Sequence, residues 1–455
     1  MYRGSPRPTA LTPTLFLVSA SFFALILLPG SLPLLRLGAF EFAYGVGDVI
    51  LILAFLPLLG EILLTGKIKF PHGINRLDKA ILLYFLILLL PVAVGILRFP
   101  EKSVFMIAAY TKNLEVLMIY LLIRKTLTIT TQANRLLQIF VVVFIGVLVI
   151  STIQLLSPSR YLNLYQTIGF WSRPFSESFQ SSVGWRLSGP FFNPNTLAQF
   201  LLLAIPISWV IYSLKHRLVT RFFWLCLIML AIAILVLTQS RSGYLGFLLT
   251  LLIFMYHTKF RFMKLNTTHI AIIIVLLGVS FFYGSLLYHR IFETTFSAGE
   301  ELDASLTARF ASWEAGIHAT WRYWLTGIGI GQSGAALGEF LPYGSIAGIH
   351  NTFLRVLIEG GIIMFTAFVF LLAQIWSWRK VGITEPWNHY KYALIAGFVG
   401  LIVTGFLGDT FQSTEIMLSF AFLLGTLNSV YQIGKGEGLS SGGTKPASMA
   451  QLSKK

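Results

Sequence analysis

Charged residues are scarce in this sequence of 455 residues. Asp, Glu, Lys and Arg make up 11% of it, whereas hydrophobic residues make up 56%, and the mean hydropathy is +0.76. Soluble domains carry about 25% charged residues, so the composition excludes an ordinary soluble enzyme. Apolar runs close to the length of a membrane-crossing helix recur throughout the chain. The sequence therefore predicts an all-α integral membrane protein.

Cysteine is nearly absent as well, because Cys226 is the only one in the chain. A single cysteine excludes an internal disulfide and a cysteine-based metal site. The sequence has no Asp-x-Asp motif, and the acidic cluster Glu300, Glu301 and Asp303 is typical of a solvated loop. We therefore expect no metal ion and no other cofactor.

Twelve apolar stretches predict transmembrane helices, numbered here in chain order as spans one to twelve. They are 14–34, 45–65, 79–97, 105–124, 136–155, 195–214, 222–239, 242–257, 268–287, 351–375, 391–408 and 414–432. The chain then divides into spans one to five (1–155), a first long loop (156–194), spans six to nine (195–287), a large loop (288–350), spans ten to twelve (351–432) and a disordered tail (433–455).

The basic residues predict how these spans are oriented. The net charge of +16 is compatible with nucleic-acid binding, but its distribution favours membrane topology instead. With the N-terminus inside, 22 of the 34 Lys and Arg residues fall in inner segments, 10 in outer segments, and Lys112 and Arg355 within spans. This asymmetry satisfies the positive-inside rule and predicts that both termini are cytoplasmic. We expect no nucleic-acid partner.

The second outer loop contains a candidate helix from Ala304 to Trp324. Its large apolar residues recur near helical spacing, at Leu306, Phe310, Trp313, Ile317, Trp321 and Trp324. Such a pattern predicts an amphipathic helix lying on the outer membrane interface. The alternative is a packing lid without a chemical role.

Three outer arginines oppose the usual charge bias, and these are Arg186, Arg241 and Arg309. Arginine suits phosphate because its planar fork donates two parallel hydrogen bonds. Any one of them could instead anchor a lipid headgroup. His350 and Asn351 lie close by in the predicted topology, because they open span ten.

Spans six, eight and ten all run inward, so their N-termini face outside. A helix N-terminus carries unsatisfied N–H groups and a partial positive charge, which favour a bound anion. Asn195 and Asn351 are predicted as helix caps there, and Pro194 suits a helix start. Together with the three arginines, these helix starts predict an anion site at the outer membrane surface.

Two pairs of opposite charges lie inside predicted spans. Lys112 and Glu115 are three residues apart, and Arg355 and Glu359 are four apart, so each pair shares a helix face. Charges at this depth are costly and suggest function, with a buried structural ion pair as the alternative. For Lys112 we favour a functional role. Asp48 and Asp409, near outer span ends, are candidate general bases, or else caps or partners of an arginine.

Several segments together resemble the O-antigen ligase family of bacterial membrane glycosyltransferases. They are the Arg-x-x-Gly-Pro-Phe-x-Asn-Pro-Asn stretch at 186–195, the Ser-Arg-Ser-Gly stretch at 240–243, the Arg309 segment, Leu-Thr-Gly-Ile-Gly at 325–329, the His350-Asn351 opening of span ten and Glu-Gly-Gly at 359–361. Each is weak alone, but their order and membrane sidedness fit the family. The resemblance covers about residues 180–375.

The resemblance implies a GT-C-like fold and a metal-independent, inverting transfer of a glycan from an undecaprenyl-diphosphate carrier. The reaction takes place at the outer face of the inner membrane, and the acceptor is lipid A–core, another glycan chain or a protein hydroxyl. Carried over to this sequence, Arg186 and Arg309 contact the donor diphosphate and His350 is the essential histidine. Arg241 matches the Ser-Arg element, and Asn195, Asn351 and Lys112 join the expected donor site.

The sequence leaves three alternatives open. His350 suits a general base because its ordinary pKa is near neutrality, but it could instead bind diphosphate as a cation. An O-antigen or exopolysaccharide polymerase of the same family is an alternative to a ligase acting on lipid A–core. A transporter or flippase of an anionic lipid or solute is the rival from another class, and it would use Lys112, Glu115, Arg355 and Glu359.

Overall fold

The computed structural model describes residues 11–28, 35–36, 43–161, 186–191, 193–258, 304–340 and 348–440. Within this part of the chain we number fourteen α-helices. They are α1 Pro13–Leu27, α2 Val46–Thr65, α3 Arg76–Ile87, α4 Leu89–Arg98, α5 Ser103–Thr126, α6 Thr130–Leu156, α7 Pro194–Leu214, α8 Leu218–Leu237, α9 Arg241–Thr258, α10 Ala304–Arg322, α11 Ser333–Gly338, α12 Thr352–Ser377, α13 Trp387–Phe406 and α14 Thr414–Ser440.

Extended structure is minimal in the described residues. Two antiparallel strands of two residues each, β1 (Leu35–Arg36) and β2 (Ala43–Tyr44), pair just before α2. Short 3-10 turns cover Pro100–Lys102, Gly189–Phe191, Trp378–Lys380 and Thr410–Gln412. The expectation of a helical protein is confirmed.

Nine helical stretches in the described residues are long and apolar enough to cross a membrane. They confirm a multi-span architecture, whereas the number twelve stays a prediction. Helix α1 is apolar but has only 15 residues. Helix α9 is not one of the nine stretches, although it occupies the position of predicted span eight. Predicted span nine, 268–287, lies outside the described residues.

Predicted span three is interrupted in the structure. Helix α3 ends at Ile87 and α4 begins at Leu89, although the two together still form one membrane-length stretch. Pro91 explains the break, because it has no N–H to donate and its ring clashes with the carbonyl four residues earlier, that of Ile87. The helix is therefore interrupted at Leu88, near the middle of the span.

The predicted start of the disordered tail at residue 433 is wrong. Helix α14 continues to Ser440, and Ile433 is still buried against the core. Once a long helix is packed along one face, each further residue adds a hydrogen bond at little cost, so glycines near its end are tolerated. Residues 441–455 lie outside the described residues.

Helices α7 and α14 form the centre of the bundle. Most of the apolar window of each is buried, whereas α2 and α8 keep large apolar side chains exposed. Exposed apolar faces on the outer helices suit a hydrocarbon solvent, where no hydrophobic penalty applies. Phe22 of α1 stacks on Phe422 of α14, and Phe140 of α6 packs against Phe200 of α7.

The starts of α2, α7, α9, α12 and α14 share one end of the bundle, here called the site end. Direct contacts join two pairs of these starts: Asn195 of α7 bonds Ser240 before α9, and Thr352 of α12 bonds the carbonyl of Gly408 before α14. The starts of α3 and α13 and the ends of α12 and α14 lie at the opposite end. The predicted sidedness makes the site end the outer one.

Candidate active site

His350 is held at the start of α12 by its own backbone. The residue has a φ of 48°, in the left-handed region that few non-glycine residues adopt. The next residue, Asn351, caps the helix, because its Oδ1 accepts a hydrogen bond from the N–H of Leu354 at 3.0 Å. Such a strained position at a helix start is typical of functional sites.

Asp409 lies beside the imidazole of His350. Its Oδ2 lies 3.5 Å from His350 Nδ1, and the two side chains are 30% and 47% exposed. A proton on Nδ1 directed at this carboxylate leaves the lone pair of Nε2 available to accept a proton. The pair therefore has the geometry of a base and the carboxylate that orients it.

The surroundings of His350 favour the neutral ring. Partial burial is the main cause that lowers the pKa of His350 below its ordinary value of 6.5. The positive charges of Arg309 and Arg355 lower this pKa further, whereas the negative charge of Asp409 raises it. The imidazole is therefore uncharged at neutral pH. A neutral ring favours the general-base role over the alternative of a cation that binds diphosphate.

A chain of charges leads from His350 into α12. Arg355 Nη1 lies 3.6 Å from Asp409 Oδ1, and Arg355 Nε donates to Glu359 Oε1 at 2.9 Å. The Arg355–Glu359 pair predicted from the sequence is thus present, and Asp409 joins it. Asp409 is a partner of both an arginine and the histidine.

Helix α10 brings Arg309 to the same place. Arg309 Nη1 donates to the carbonyl of Leu407 at 3.3 Å, two residues before Asp409. On the next turn of α10, Trp313 Nε1 donates to the carbonyl of Ile349 at 2.9 Å, next to His350. The helix predicted over this stretch is therefore present, and it packs against the start of α12.

The Leu-Thr-Gly-Ile-Gly segment at 325–329, here called the glycine loop, is hydrogen-bonded to α12 farther along the helix than His350. The N–H groups of Ile328 and Gly329 donate to the carbonyls of Ile358 and Glu359 at 2.9 and 3.0 Å. These carbonyls are accessible because α12 is broken at Gly361, which has a φ of 64°. The Leu-Thr-Gly-Ile-Gly and Glu-Gly-Gly segments noted in the sequence thus bind each other.

Arg186 belongs to a second group at the site end. Its Nε donates to the carbonyl of Thr238 at 2.9 Å, and its Nη2 to Asn195 Oδ1 at 3.3 Å. Ser240 Oγ donates to the same Asn195 oxygen at 2.8 Å. Arg241 follows as the first residue of α9. The structure therefore brings Arg186, Asn195 and the start of the Arg241 helix together.

The predicted cap of α7 is wrong by two residues. The cap is Asn193, whose Oδ1 accepts from the N–H of Asn195 at 2.9 Å. Pro194 takes the first helical position, where its missing N–H costs nothing, so the cap must precede it. Asn195 is free of the capping role and instead joins Arg186 to Ser240.

The segment that precedes α14 links the two groups. From α7, Gln199 Nε2 donates to Thr410 Oγ1 at 2.9 Å, and Thr196 Oγ1 lies 3.4 Å from Ser413 Oγ. Thr410 follows Asp409 directly in the chain. The groups around Arg186 and around His350 are therefore neighbours on one surface, which sequence spacing alone could not establish.

A cavity of about 210 Å³ opens between α5 and α12. Lys112 lines it from α5, and Arg355 and Glu359 line it from α12. Lys112 Nζ lies 2.5 Å from Asp48 Oδ1 and 3.0 Å from Glu115 Oε1. Three of the four residues of the two predicted intramembrane charge pairs, Lys112, Arg355 and Glu359, therefore line one cavity.

Two supporting residues were not identified from the sequence. Arg98 Nη1 donates to the carbonyl of Gly327 at 2.7 Å and so fixes the glycine loop. Gln154 Oε1 accepts from the N–H groups of Ser188 and Gly189 at 3.0 and 2.8 Å, next to Arg186. Arg98 lies in a predicted outer segment, where basic residues are less common. This departure from the charge bias could have identified it from the sequence. Gln154 carries no distinguishing pattern.

Within the described residues, no group of three or more His, Cys, Asp or Glu side chains is arranged to hold a metal ion. The acidic cluster Glu300, Glu301 and Asp303 lies outside them.

The family model for O-antigen ligase matches residues 224–369. This match supports the assignment of the chain to the O-antigen ligase family. The matched segment runs from α8 into α12 and includes Arg241, Arg309, His350 and Asn351. A comparison with curated proteins finds no match.

Arg186, Asn195, Lys112 and Asp409 lie outside the residues matched by the O-antigen ligase model. The structure nevertheless joins Asp409 to His350 and Arg355, and it places Lys112 across the cavity from Arg355. The candidate site is therefore built partly from the matched segment and partly from helices on either side of it.

Proposed function

We propose that this protein transfers a glycan from an undecaprenyl-diphosphate carrier to an acceptor hydroxyl at the outer face of the bacterial inner membrane. The family match supports membrane glycan transfer of the O-antigen ligase or polymerase type. The observation that carries the proposal is the His350–Asp409 pair, with Arg309 and Arg355 beside it, at the start of α12.

In the proposed reaction His350 acts as general base. Its Nε2 accepts the proton of the acceptor hydroxyl while that oxygen attacks the anomeric carbon of the donor sugar. The bond between this carbon and the diphosphate oxygen breaks, and its electron pair leaves with undecaprenyl diphosphate. Attack from the face opposite the leaving group inverts the anomeric centre. Asp409 stabilises the imidazolium that forms.

Arg186, Arg241 and Arg309 are proposed to bind the donor diphosphate, with Asn195 and Asn351 at the adjoining helix starts. Charge develops on the leaving oxygen as the bond breaks, so preorganised donors stabilise the transition state more than the ground state. One such donor contributes roughly 3–4 kcal/mol in well-studied enzymes. No metal ion takes part in the proposed step.

The cavity lined by Lys112 and Arg355 is the proposed entrance for the carrier. An apolar pocket lies beside it, and both are lined by Tyr84, Asn113, Val116 and Phe368. A polar cavity next to an apolar one suits a lipid whose charged diphosphate continues into a polyprenyl chain. Lys112 would meet the diphosphate end.

We also propose that the protein has twelve spans in a GT-C-like fold, that both termini are cytoplasmic and that α10 lies on the outer interface. Lipid A–core is the favoured acceptor. A second lipid-linked glycan as acceptor would make the protein a polymerase. A transporter of an anionic lipid would use the same Lys112 cavity without breaking a glycosidic bond.

A transfer assay with the purified full chain in nanodiscs separates these functions. Glycan-loaded undecaprenyl diphosphate is supplied with EDTA, and lipid A–core, a second lipid-linked glycan or a peptide hydroxyl is added one at a time. We expect glycan transfer that depends on lipid A–core. Transfer only to a second lipid-linked glycan would indicate a polymerase, and no transfer by folded protein to any acceptor would contradict the proposal.

A further inference from the structure

A large cavity lies at the opposite end of the bundle from His350. Its volume is about 820 Å³, and it is bounded by the start of α3 and the ends of α12 and α14. The lining residues Gln374 of α12 and Lys435 of α14 lie about 20 residues after the starts of their helices, so roughly 30 Å separates the cavity from the site end at 1.5 Å per residue. The proposed glycosyl transfer does not use it.

Basic side chains line this cavity, and none of the described acidic residues does. Arg76 and Lys79 lie on the first turn of α3, and Lys435 lies on α14. None of the three forms an ion pair with a carboxylate of the described residues. The carboxylate nearest in sequence, Asp78, is already bound by Arg124. Among the described side chains, the positive charge of the cavity is therefore not paired with a carboxylate.

Two further groups of the lining lack hydrogen-bond partners. Trp378 is 4% exposed, and its Nε1–H is buried without an acceptor. His72 Nε2 is likewise buried without a partner. Buried donors that are left unpaired are rare in native structures and call for a specific explanation, such as a ligand. Both residues line the same cavity as the basic side chains.

We propose that this cavity binds the phosphate group of an anionic ligand. Arg76, Lys79 and Lys435 would neutralise the phosphate, and the Trp378 N–H would donate to one of its oxygens. Ile74, which is 46% exposed, and Val381 add apolar surface beside the charges. The ligand is a phospholipid headgroup of the inner leaflet or a soluble phosphate ester, since the two share this chemistry.

Native mass spectrometry of the full chain in detergent tests the proposal. Phosphatidylglycerol and zwitterionic phosphatidylcholine are titrated separately, and sn-glycerol 3-phosphate serves as the soluble probe. The test variant is the triple substitution Arg76→Gln, Lys79→Gln and Lys435→Gln. All three side chains are exposed, so the variant is expected to fold.

A matched control carries Lys67→Gln, Lys69→Gln and Arg217→Gln. It removes the same charge from two lysines and one arginine that are exposed and do not line the cavity. We expect the wild type and the control to retain one anionic ligand that the test variant binds at least about tenfold more weakly, because each basic residue at a membrane surface attracts anionic lipid.

The outcomes separate the two sources and can overturn the proposal. Retention of phosphatidylglycerol with no effect of glycerol phosphate identifies a lipid headgroup, and competition by glycerol phosphate identifies a soluble ester. Trp378→Phe, which removes the N–H together with part of the buried indole, should weaken binding severalfold. Equal binding by the test variant and the wild type, or an equal loss in the control, would overturn the proposal.

Discussion

At the scale of single residues, Arg186 illustrates why the kind of cation matters. Its Nε is fixed on the Thr238 carbonyl, while its Nη2 reaches Asn195 at the start of α7. A guanidinium can hold these two partners and still present N–H groups of the same plane to a diphosphate. A lysine has one nitrogen and no fixed plane.

We therefore expect Arg186→Lys to lose nearly as much transfer activity as Arg186→Ala. Loss of one preorganised donor typically lowers kcat by about 10²–10³. The measurement is the initial rate of glycan transfer at saturating donor. Arg217→Lys, an exposed change at the opposite end, is the matched control. Full activity in Arg186→Lys would rule out bidentate binding of the diphosphate.

His350 predicts a particular dependence of activity on pH. A base must be neutral, so the rate should rise with pH as His350 loses its proton and level off above its pKa. Burial, Arg309 and Arg355 lower that pKa below 6.5, so the half-maximal rate should lie below pH 6.5.

Asp409→Asn should move this acid limb to lower pH, because it removes the one charge that raises the pKa of His350. The readout is the pH profile of kcat/KM, which a purely structural role of Asp409 would not shift. An unchanged or upward-shifted limb would show that Asp409 does not act on His350.

At the scale of elements, the glycine loop and the break in α12 depend on each other. A Cβ at Gly327, which has a φ of 72°, would lie 2.2 Å from the carbonyl oxygen of Glu359. The neighbour is backbone and cannot move aside without breaking α12. The Gly-Ile-Gly sequence is therefore explained by a close approach of two backbones.

Gly327→Ala should destabilise the protein by at least about 2 kcal/mol, from backbone strain together with the clash. Thermal unfolding in detergent measures the effect as a lower midpoint. Gly60→Ala is the control, because its Cβ would meet nothing within 4 Å and it lies inside a helix. Equal midpoints for the two variants would contradict the proposed coupling of loop and helix.

Sequence patterns predicted most of the elements but not their interruptions. Apolar length located the helices that became α2, α7, α12 and α14, and the spacing of Phe310 and Trp313 predicted α10. The break at Leu88 was missed because hydropathy ignores the single N–H that Pro91 lacks. The tail boundary was misplaced because glycine content says nothing about packing of the preceding helix.

At the scale of the whole molecule, a buried network ties three distant parts of the chain together. Arg124 and Asp78 are both 0% exposed and form two hydrogen bonds, at 2.9 and 2.8 Å. Tyr120 and Asn428 also donate to Asp78 Oδ1. Helices α3, α5 and α14 are thereby joined near the end opposite His350.

Asp78→Ala should cost about 3–5 kcal/mol, because it leaves the buried charge of Arg124 without its carboxylate. The yield and unfolding midpoint of the purified protein report this loss. Glu61→Ala removes the carboxylate of the more exposed Lys125 pair and should have a small effect. Similar losses in both variants would mean that the Asp78 network is not a main support of the fold.

Some contacts of the assembled site could be predicted from the sequence and others could not. Arg186, Arg309 and His350 stood out because they oppose the charge bias or begin a span, which are local signals. That Asp409 meets His350, and that Lys112 faces Arg355 across a cavity, follows only from how α5, α12 and α14 pack. No spacing along the chain encodes those contacts.

Release of undecaprenyl diphosphate by the purified protein, from a glycan-loaded carrier in the presence of acceptor, directly tests whether His350 catalyses glycan transfer. We expect acceptor-dependent release by the wild type and by His216→Ala, an exposed histidine at the opposite end, and none by folded His350→Ala. Release by His350→Ala at the wild-type rate would contradict this expectation.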